Sequence, residues 1–119
     1  MKIGLQVTKN TEKYKKLVSF LKSSSLKNIS FIHIKNYKSL EKNFKHLNVL
    51  VCYGITPELF KYRSDKLKWI HIGASGVDGD LFPDILKSKV MITNAKGINS
   101  KPVAEFIISQ ILYFSKRFG

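Results

Sequence analysis

The segment Leu67-Lys68-Trp69-Ile70-His71-Ile72-Gly73-Ala74-Ser75-Gly76-Val77-Asp78 decides how the chain is expected to fold. Its first half has the apolar character of a strand, small residues follow from Gly73 to Gly76, and a helix is predicted to begin at about Asp78. Such a turn directs unpaired backbone N–H groups to one point, which attracts an anion. The pattern fits an ordinary strand-to-helix turn as well, and its glycine spacing differs from the dinucleotide-binding G-x-G-x-x-G.

Four more segments have the character of strands, and helical patterns separate them. The strands are predicted at Lys2–Val7, Ile29–Ile34, Asn48–Tyr53 and Val90–Thr93, beside Trp69–Ile72. The first predicted helix can be capped by Asn10 and ends in Ser23-Ser24-Ser25; its apolar face is formed by Tyr14, Leu17, Val18 and Leu21. The second helix directs Leu40, Phe44 and Leu47 inward, and Thr56-Pro57-Glu58 starts a third. A further helix from Asp78 has an apolar side formed by Leu81, Phe82, Ile85 and Leu86. Alternating strands and helices predict an α/β fold with a five-stranded parallel sheet.

The last predicted helix begins near Ser100-Lys101-Pro102, continues to the end of the chain and is apolar almost all round. Its apolar residues are Val103, Ala104, Phe106, Ile107, Ile108, Ile111, Leu112, Tyr113 and Phe114. A helix of this kind is normally buried, within the chain or against something else. We therefore expect a homodimer, formed through this helix or by its exchange between two copies.

The charge of the chain is strongly positive and unevenly distributed. The 119 residues have a net charge of +13, and residues 1–46 hold eleven Lys against two Glu. Such an excess of positive charge is typical of proteins that bind nucleic acid or an anionic substrate. The lysines alternate with apolar residues and only Arg63 and Arg117 are arginines, so we attribute the charge to solvated surface and do not expect nucleic acid to bind.

Cysteine content and hydropathy restrict the class of protein. The single Cys52 excludes an internal disulfide and a multi-cysteine metal site. No apolar run approaches the ~20 residues that span a bilayer, and the N-terminal residues lack a signal-peptide pattern. The sequence predicts a cytoplasmic protein without membrane contact.

Polar loops follow the predicted strands, where ligands of parallel sheets bind. The loops are Val7–Asn10, Tyr53–Thr56, Gly73–Asp78 and Asn94–Ser100. The last three are rich in Gly, Ser, Thr and Asn, so they can line one polar crevice.

Two blocks in these loops resemble the D-isomer-specific 2-hydroxyacid dehydrogenases. One is Gly76-Val77-Asp78, and the other is Asn94-x-x-Gly97 followed by Val103-Ala104-Glu105. The resemblance covers nearly the whole chain and implies a flavodoxin-like three-layer substrate domain, which the family combines with a Rossmann domain for NAD or NADP. Residues 1–100 would form the substrate-binding domain, and 101–119 a linker helix toward an NAD-binding domain that this sequence lacks.

The resemblance also implies the roles of individual residues. The backbone of Ser75, Gly76 and Val77 would bind the carboxylate of a small 2-oxo or 2-hydroxy acid, and Tyr53 and Gly54 would shape the pocket. On the cofactor side the residues carried over are Asn94, Gly97 and Val103, with Glu105 expected to hold the helix start. Turn geometry and capping are an equal explanation for Asn94, Gly97 and Glu105.

The family's catalytic Arg, Glu and His, and its G-x-G-x-x-G loop, correspond to no residue of this sequence. We therefore expect no catalytic residue here, no tight binding of NAD or NADP, and no oxidoreductase activity from this chain alone. His33, His71 and Cys52 are expected to pack and not to react. The alternative function is a stand-alone flavodoxin-like module that binds an anion or nucleic acid.

Overall fold

Five strands form one parallel sheet in a computed structural model of the chain, which describes residues 1–24, 26 and 28–117. The strands are β1 (Lys2–Leu5), β2 (Ser30–His33), β3 (Val49–Cys52), β4 (Trp69–Ile72) and β5 (Met91–Asn94). Their order is β2-β1-β3-β4-β5, and every neighbouring pair is parallel. The predicted α/β class and five-stranded parallel sheet are confirmed, and the order is consistent with a flavodoxin-like fold.

Helices connect the strands, and the first one follows its predicted pattern closely. The α-helices are α1 (Thr11–Ser23), α2 (Tyr37–Phe44), α3 (Pro57–Phe60), α4 (Pro83–Leu86) and α5 (Ser100–Ser115). Asn10 caps α1 by accepting a hydrogen bond from the amide of Lys13 at 2.9 Å. The four residues predicted for the apolar face are half-buried and the rest of α1 is exposed. Ser25, part of the predicted helix end, lies outside the described residues.

The core lies around β3 and β4, which are covered by α2, α3 and α4. Leu50, Ile70 and Ile72 are fully buried in these strands, and Phe44 of α2 is buried with them. No polar side chain is buried in the described residues. A continuous apolar run such as Val49–Cys52 suits a strand in the middle of a parallel sheet.

The predicted helix from Asp78 is wrong. Residues Asp78–Asp80 form a short 3-10 turn, and an α-helix begins only at Pro83. Proline disfavours helical dihedrals in the residue before it, and Phe82 has an extended ψ of 163°. The predicted apolar side is divided as a result, because Ile85 is buried whereas Leu86 is 64% exposed.

The last helix differs from the prediction in length and in burial. Helix α5 ends at Ser115, and Phe118 and Gly119 lie outside the described residues. All sixteen residues of α5 are exposed, so the burial expected of an all-round apolar helix is not found within the described chain. The radius of gyration is 18.2 Å, whereas about 14 Å is expected for a compact domain of this length. No helix among the described residues has the length and apolarity needed to cross a bilayer.

Candidate functional site

The loop after β4 lies at the carboxyl edge of the sheet and leaves its backbone open to solvent. The amide of Gly73 donates to the carbonyl of Cys52 at 2.7 Å, which extends the β3–β4 ladder by one residue. Beyond it, Ser75 and Gly76 are exposed and Val77 is half-buried. Within the described residues, the amides of Ser75, Gly76 and Val77 donate no hydrogen bond. Three consecutive free N–H groups in a turn can bind an anion without a helix behind them.

The end of β5 holds this loop in place. The side-chain amide of Asn94 donates to the carbonyl of Ser75 at 2.8 Å. The amide of Ala95 lies 3.1 Å from the carbonyls of both Ile72 and Ala74. These bonds engage the carbonyl side of the loop and leave the amides of Ser75–Val77 unused. Asn94, predicted on the cofactor side, therefore contacts the loop predicted to bind the substrate.

Tyr53 and Gly54 form the neighbouring turn after β3. A Cβ at Gly73 would lie 3.1 Å from the ring of Tyr53, so the ring packs directly over that glycine. A Cβ at Gly54 would lie 3.2 Å from the carboxylate of Asp80. The structure thus brings the predicted pocket residues of β3 against both ends of the loop after β4.

Asp80 connects these two loops and was not identified from the sequence. Its carboxylate accepts a hydrogen bond from the amide of Ile55 at 2.7 Å. The predicted helix placed Asp80 in a first turn, where an acidic residue is ordinary, so the pattern gave no signal for a contact that spans 25 residues. This bond fixes the β3 turn relative to the 3-10 turn after the loop.

Cys52 lies beneath the same turns in a position that disfavours its thiolate. The side chain is buried, and burial, with a smaller contribution from the charge of Asp80, raises the pKa of its thiol to about 11. A backbone hydrogen bond from Gly54 acts in the opposite direction but is a smaller effect than burial. Because the thiolate is the nucleophilic form, this cysteine is protonated at neutral pH, and the predicted packing role fits its surroundings.

The two strand histidines are held by hydrogen bonds and by neighbouring rings. The ring Nδ1 of His71 and the indole N–H of Trp69 lie 2.9 Å and 2.8 Å from the hydroxyl of Thr93. The ring Nε2 of His33 lies 2.7 Å from the carbonyl of Thr8, and the ring stacks on Tyr14 with centroids 4.1 Å apart. Both histidines belong to strands of the sheet, and their hydrogen bonds go to Thr8 and Thr93 and not to the loop at Ser75–Val77.

The remaining residues predicted on the cofactor side lie further along the chain. Gly97 has φ +89° in the turn before α5, a left-handed conformation that favours glycine. Val103 is exposed on α5, and Glu105 lies 4.0 Å from Lys101 in an exposed ion pair. The side chain of Asn99 makes no capping bond at the start of α5. None of these residues lines the 380 Å³ cavity at the carboxyl edge of the sheet.

A cavity of about 380 Å³ lies at the same edge of the sheet, one strand away from the predicted loop. Tyr53 and Gly54 line it, whereas Ser75, Gly76 and Val77 do not. Its other lining residues are Gln6, Val7, Thr8, Lys9, Ile34, Lys35 and Tyr37. Tyr53 therefore stands between this cavity and the loop after β4.

Comparison with known proteins gives no match from which a function could be assigned. The chain matches no family model, no curated protein and no solved structure. Within the described ranges, no group of three or more His, Cys, Asp or Glu side chains could hold a metal ion.

Proposed function

We propose that this chain is the substrate-binding part of an NAD(P)-dependent oxidoreductase that acts on the CH–OH group of D-2-hydroxy acids. Residues 1–100 would form a three-layer flavodoxin-like domain, and a linker helix in residues 101–119 would lead toward a separate Rossmann domain for NAD or NADP. The ligand of this chain is a small 2-oxo or 2-hydroxy acid, and the chain alone is inactive as an enzyme.

One observation carries the proposal: the free amides of Ser75, Gly76 and Val77 in the loop after β4, where Ser75 and Gly76 are exposed and Val77 is half-buried. A carboxylate that accepts two or three backbone N–H groups keeps its charge and gains charge-assisted hydrogen bonds. Asn94 holds the loop by its carbonyl side, so the amides do not have to reorganise when the anion binds. The β3 turn of Tyr53 and Gly54 covers one flank of the same loop.

Binding of oxamate, an unreactive analogue of a 2-oxo acid, tests this proposal. In a ¹H–¹⁵N chemical-shift titration, we expect the amides of Ser75–Val77 to shift most. The variant Gly76→Val should weaken binding, because the new side chain lies where the anion approaches. Nothing lies within 4 Å of a Cβ at Gly76 or Gly79, so Gly79→Val is a matched control that should bind as the wild type does. Saturating shifts elsewhere with none in this loop would overturn the proposal.

We also propose that the chain is a homodimer whose two copies pack through α5. Eight large apolar residues of α5, Val103, Phe106, Ile107, Ile108, Ile111, Leu112, Tyr113 and Phe114, are 46–72% exposed. Taking about 100 Å² of exposed area for each of the three aromatic residues and about 50 Å² for each of the five aliphatic ones gives roughly 550 Å² per copy. Two copies would bury about 1,100 Å², which exceeds the roughly 1,000 Å² expected of a biological interface.

Sedimentation velocity over a range of concentrations tests the dimer. The double variant Ile107→Gln/Ile111→Gln, on successive turns of α5, should shift the chain to a monomer. Ser109→Gln, on the same exposed helix, keeps the apolar residues and should not change the association. A wild-type chain that remains a monomer at about 0.1 mM, a concentration at which any micromolar dimer would form, contradicts this part of the proposal.

A further inference from the structure

The 380 Å³ cavity lies where the strand order reverses. The chain passes from β1 to β2 on one side and then to β3 on the other, so the loops after β1 and β3 separate. Val7 and Thr8 line one wall, and Tyr53 and Gly54 line the other. Crevices at such a reversal are the places where open parallel sheets bind ligands. The location is therefore a candidate binding position that does not include Ser75, Gly76 or Val77, although it shares Tyr53 and Gly54 with the flank of the loop after β4.

The apolar part of the cavity suits a planar ring. Ile34 is fully buried, and Tyr37 and Tyr53 also line the cavity although they are 60% and 64% exposed. Exposed tyrosines at a cavity offer ring faces and edges on which another ring can stack. The volume is at the lower end of the range for ligand pockets, which suits one ring system better than a dinucleotide.

The charged part of the cavity suits a dianion. Lys9 and Lys35 both line it, and none of its lining residues is acidic. The ion pairs found among the described residues involve neither of these two lysines. Thr8 and Gln6 add polar groups to the same wall. A phosphate monoester has a charge of about −1.5 to −2 near pH 7, which two lysines can balance.

The walls of the cavity are fixed without a ligand. The carbonyl of Thr8 is bonded to the ring of His33, and its hydroxyl accepts from the amide of Asn10 at 3.1 Å. On the side of the cavity that follows β2, the amide of Lys35 donates to the hydroxyl of Ser39 at 3.0 Å, next to the capping box of Asn36 and Ser39 that starts α2. Pre-formed walls reduce the ordering cost of binding.

We propose that this cavity binds a phosphate monoester that carries a planar ring. The phosphate contacts Lys9 and Lys35, and the ring packs between Tyr37 and Tyr53. This site goes beyond the proposed function, because a 2-oxo acid would bind through the amides of the loop after β4.

Titration of the ¹⁵N-labelled 119-residue chain with phenyl phosphate, uridine monophosphate and inorganic phosphate tests the proposal. We expect both esters to shift the amides of Thr8, Lys9 and Lys35, and to bind more tightly than inorganic phosphate. Tighter binding of uridine monophosphate assigns the site to nucleotides, and tighter binding of phenyl phosphate assigns it to aryl phosphates; both support the proposal. Equal binding of all three ligands would overturn it.

Charge-matched variants separate the site from general attraction to a basic protein. Lys9→Gln/Lys35→Gln should weaken binding of both esters at least about tenfold, since each lysine makes a charged contact. Lys16→Gln/Lys68→Gln removes the same charge from exposed positions outside the cavity and should change binding by less than about twofold. An equal loss of ester affinity in the two double variants would show that the esters are attracted by the general positive charge of the protein, and would refute the site. Tyr37→Leu should weaken the esters and leave inorganic phosphate unchanged.

Discussion

Replacement of Gly4 by alanine tests the packing at the centre of the sheet. Gly4 lies in β1, the strand between β2 and β3. A Cβ at this position would lie 2.6 Å from one methyl of Leu47 and 3.3 Å from a methyl of Leu50. Both leucines are fully buried, so neither methyl can rotate toward solvent. The Gly4→Ala variant therefore overpacks the core.

Two opposing effects set the size of the change in stability. Overpacking of a core costs about 1–3 kcal/mol. Alanine reduces the entropy of the unfolded chain, which stabilises the protein by about 0.4–1 kcal/mol. We expect Gly4→Ala to lower the free energy of unfolding by about 1–2 kcal/mol, which for a chain of this length lowers Tm by roughly 5–8 °C.

Urea unfolding followed by circular dichroism measures this difference. Gly79→Ala is the control, because nothing lies within 4 Å of a Cβ there, and its stability should equal or slightly exceed that of the wild type. Leu47→Ala removes the methyl nearest to the new Cβ and leaves only the looser contact with Leu50, so the penalty of Gly4→Ala should be much smaller in the double variant. A Gly4→Ala variant as stable as the wild type, or a penalty unchanged in that cycle, would refute the packing argument.

Three further predictions concern the turns at the carboxyl edge. Burial raises the pKa of the Cys52 thiol to about 11, so this cysteine should not react with a thiol reagent at pH 8 unless urea is added. Because this folded-state pKa lies above the ordinary value near 9, the contribution of the protonated thiol to the free energy of unfolding is complete below pH 9 and is lost between pH 9 and 11. Asp80→Ala should lower the free energy of unfolding by about 1–3 kcal/mol, because the amide of Ile55 loses its acceptor. Asp80→Asn keeps an acceptor oxygen and should recover part of this loss of stability. Equal losses of stability in the two variants would contradict the role of the hydrogen bond. Gly97→Ala should cost about 1–2 kcal/mol in urea unfolding through its φ of +89°, although no atom lies within 4 Å of the new Cβ, and an unchanged stability would contradict the strain.

Local patterns in the sequence predicted much of the fold. The spacing of Tyr14, Leu17, Val18 and Leu21 identified the half-buried face of α1, because burial of a helix on a sheet follows its period directly. The cap residues Asn10 and Thr56 could be identified because a capping side chain bonds within the first turn of its own helix. The helix predicted from Asp78 was wrong because the apolar period was given more weight than Pro83.

The site was predictable in location but not in detail. The loop after β4 lies at the carboxyl edge as expected, because every strand of a parallel sheet ends at that edge. The bonds that fix the loop, from Asn94 to Ser75 and from Ile55 to Asp80, join residues 19 and 25 positions apart. Such pairs depend on the register of the strands, which hydropathy alone does not determine. The binding of a carboxylate by Ser75, Gly76 and Val77 stays a prediction.

The central position of β1 has a consequence for synthesis of the protein. β1 is made before β3, yet it pairs with β3 on one side. The amide of Lys2 donates to the side-chain oxygen of Asn48 at 2.7 Å, and the amide of Asn48 donates to the carbonyl of Lys2 at 2.9 Å. On the ribosome, β1 must wait for nearly fifty further residues before its second neighbour is made. At about 5–20 residues per second, the nascent chain presents one unpaired strand edge for several seconds. Early encounter with a chaperone would protect that edge until β3 emerges.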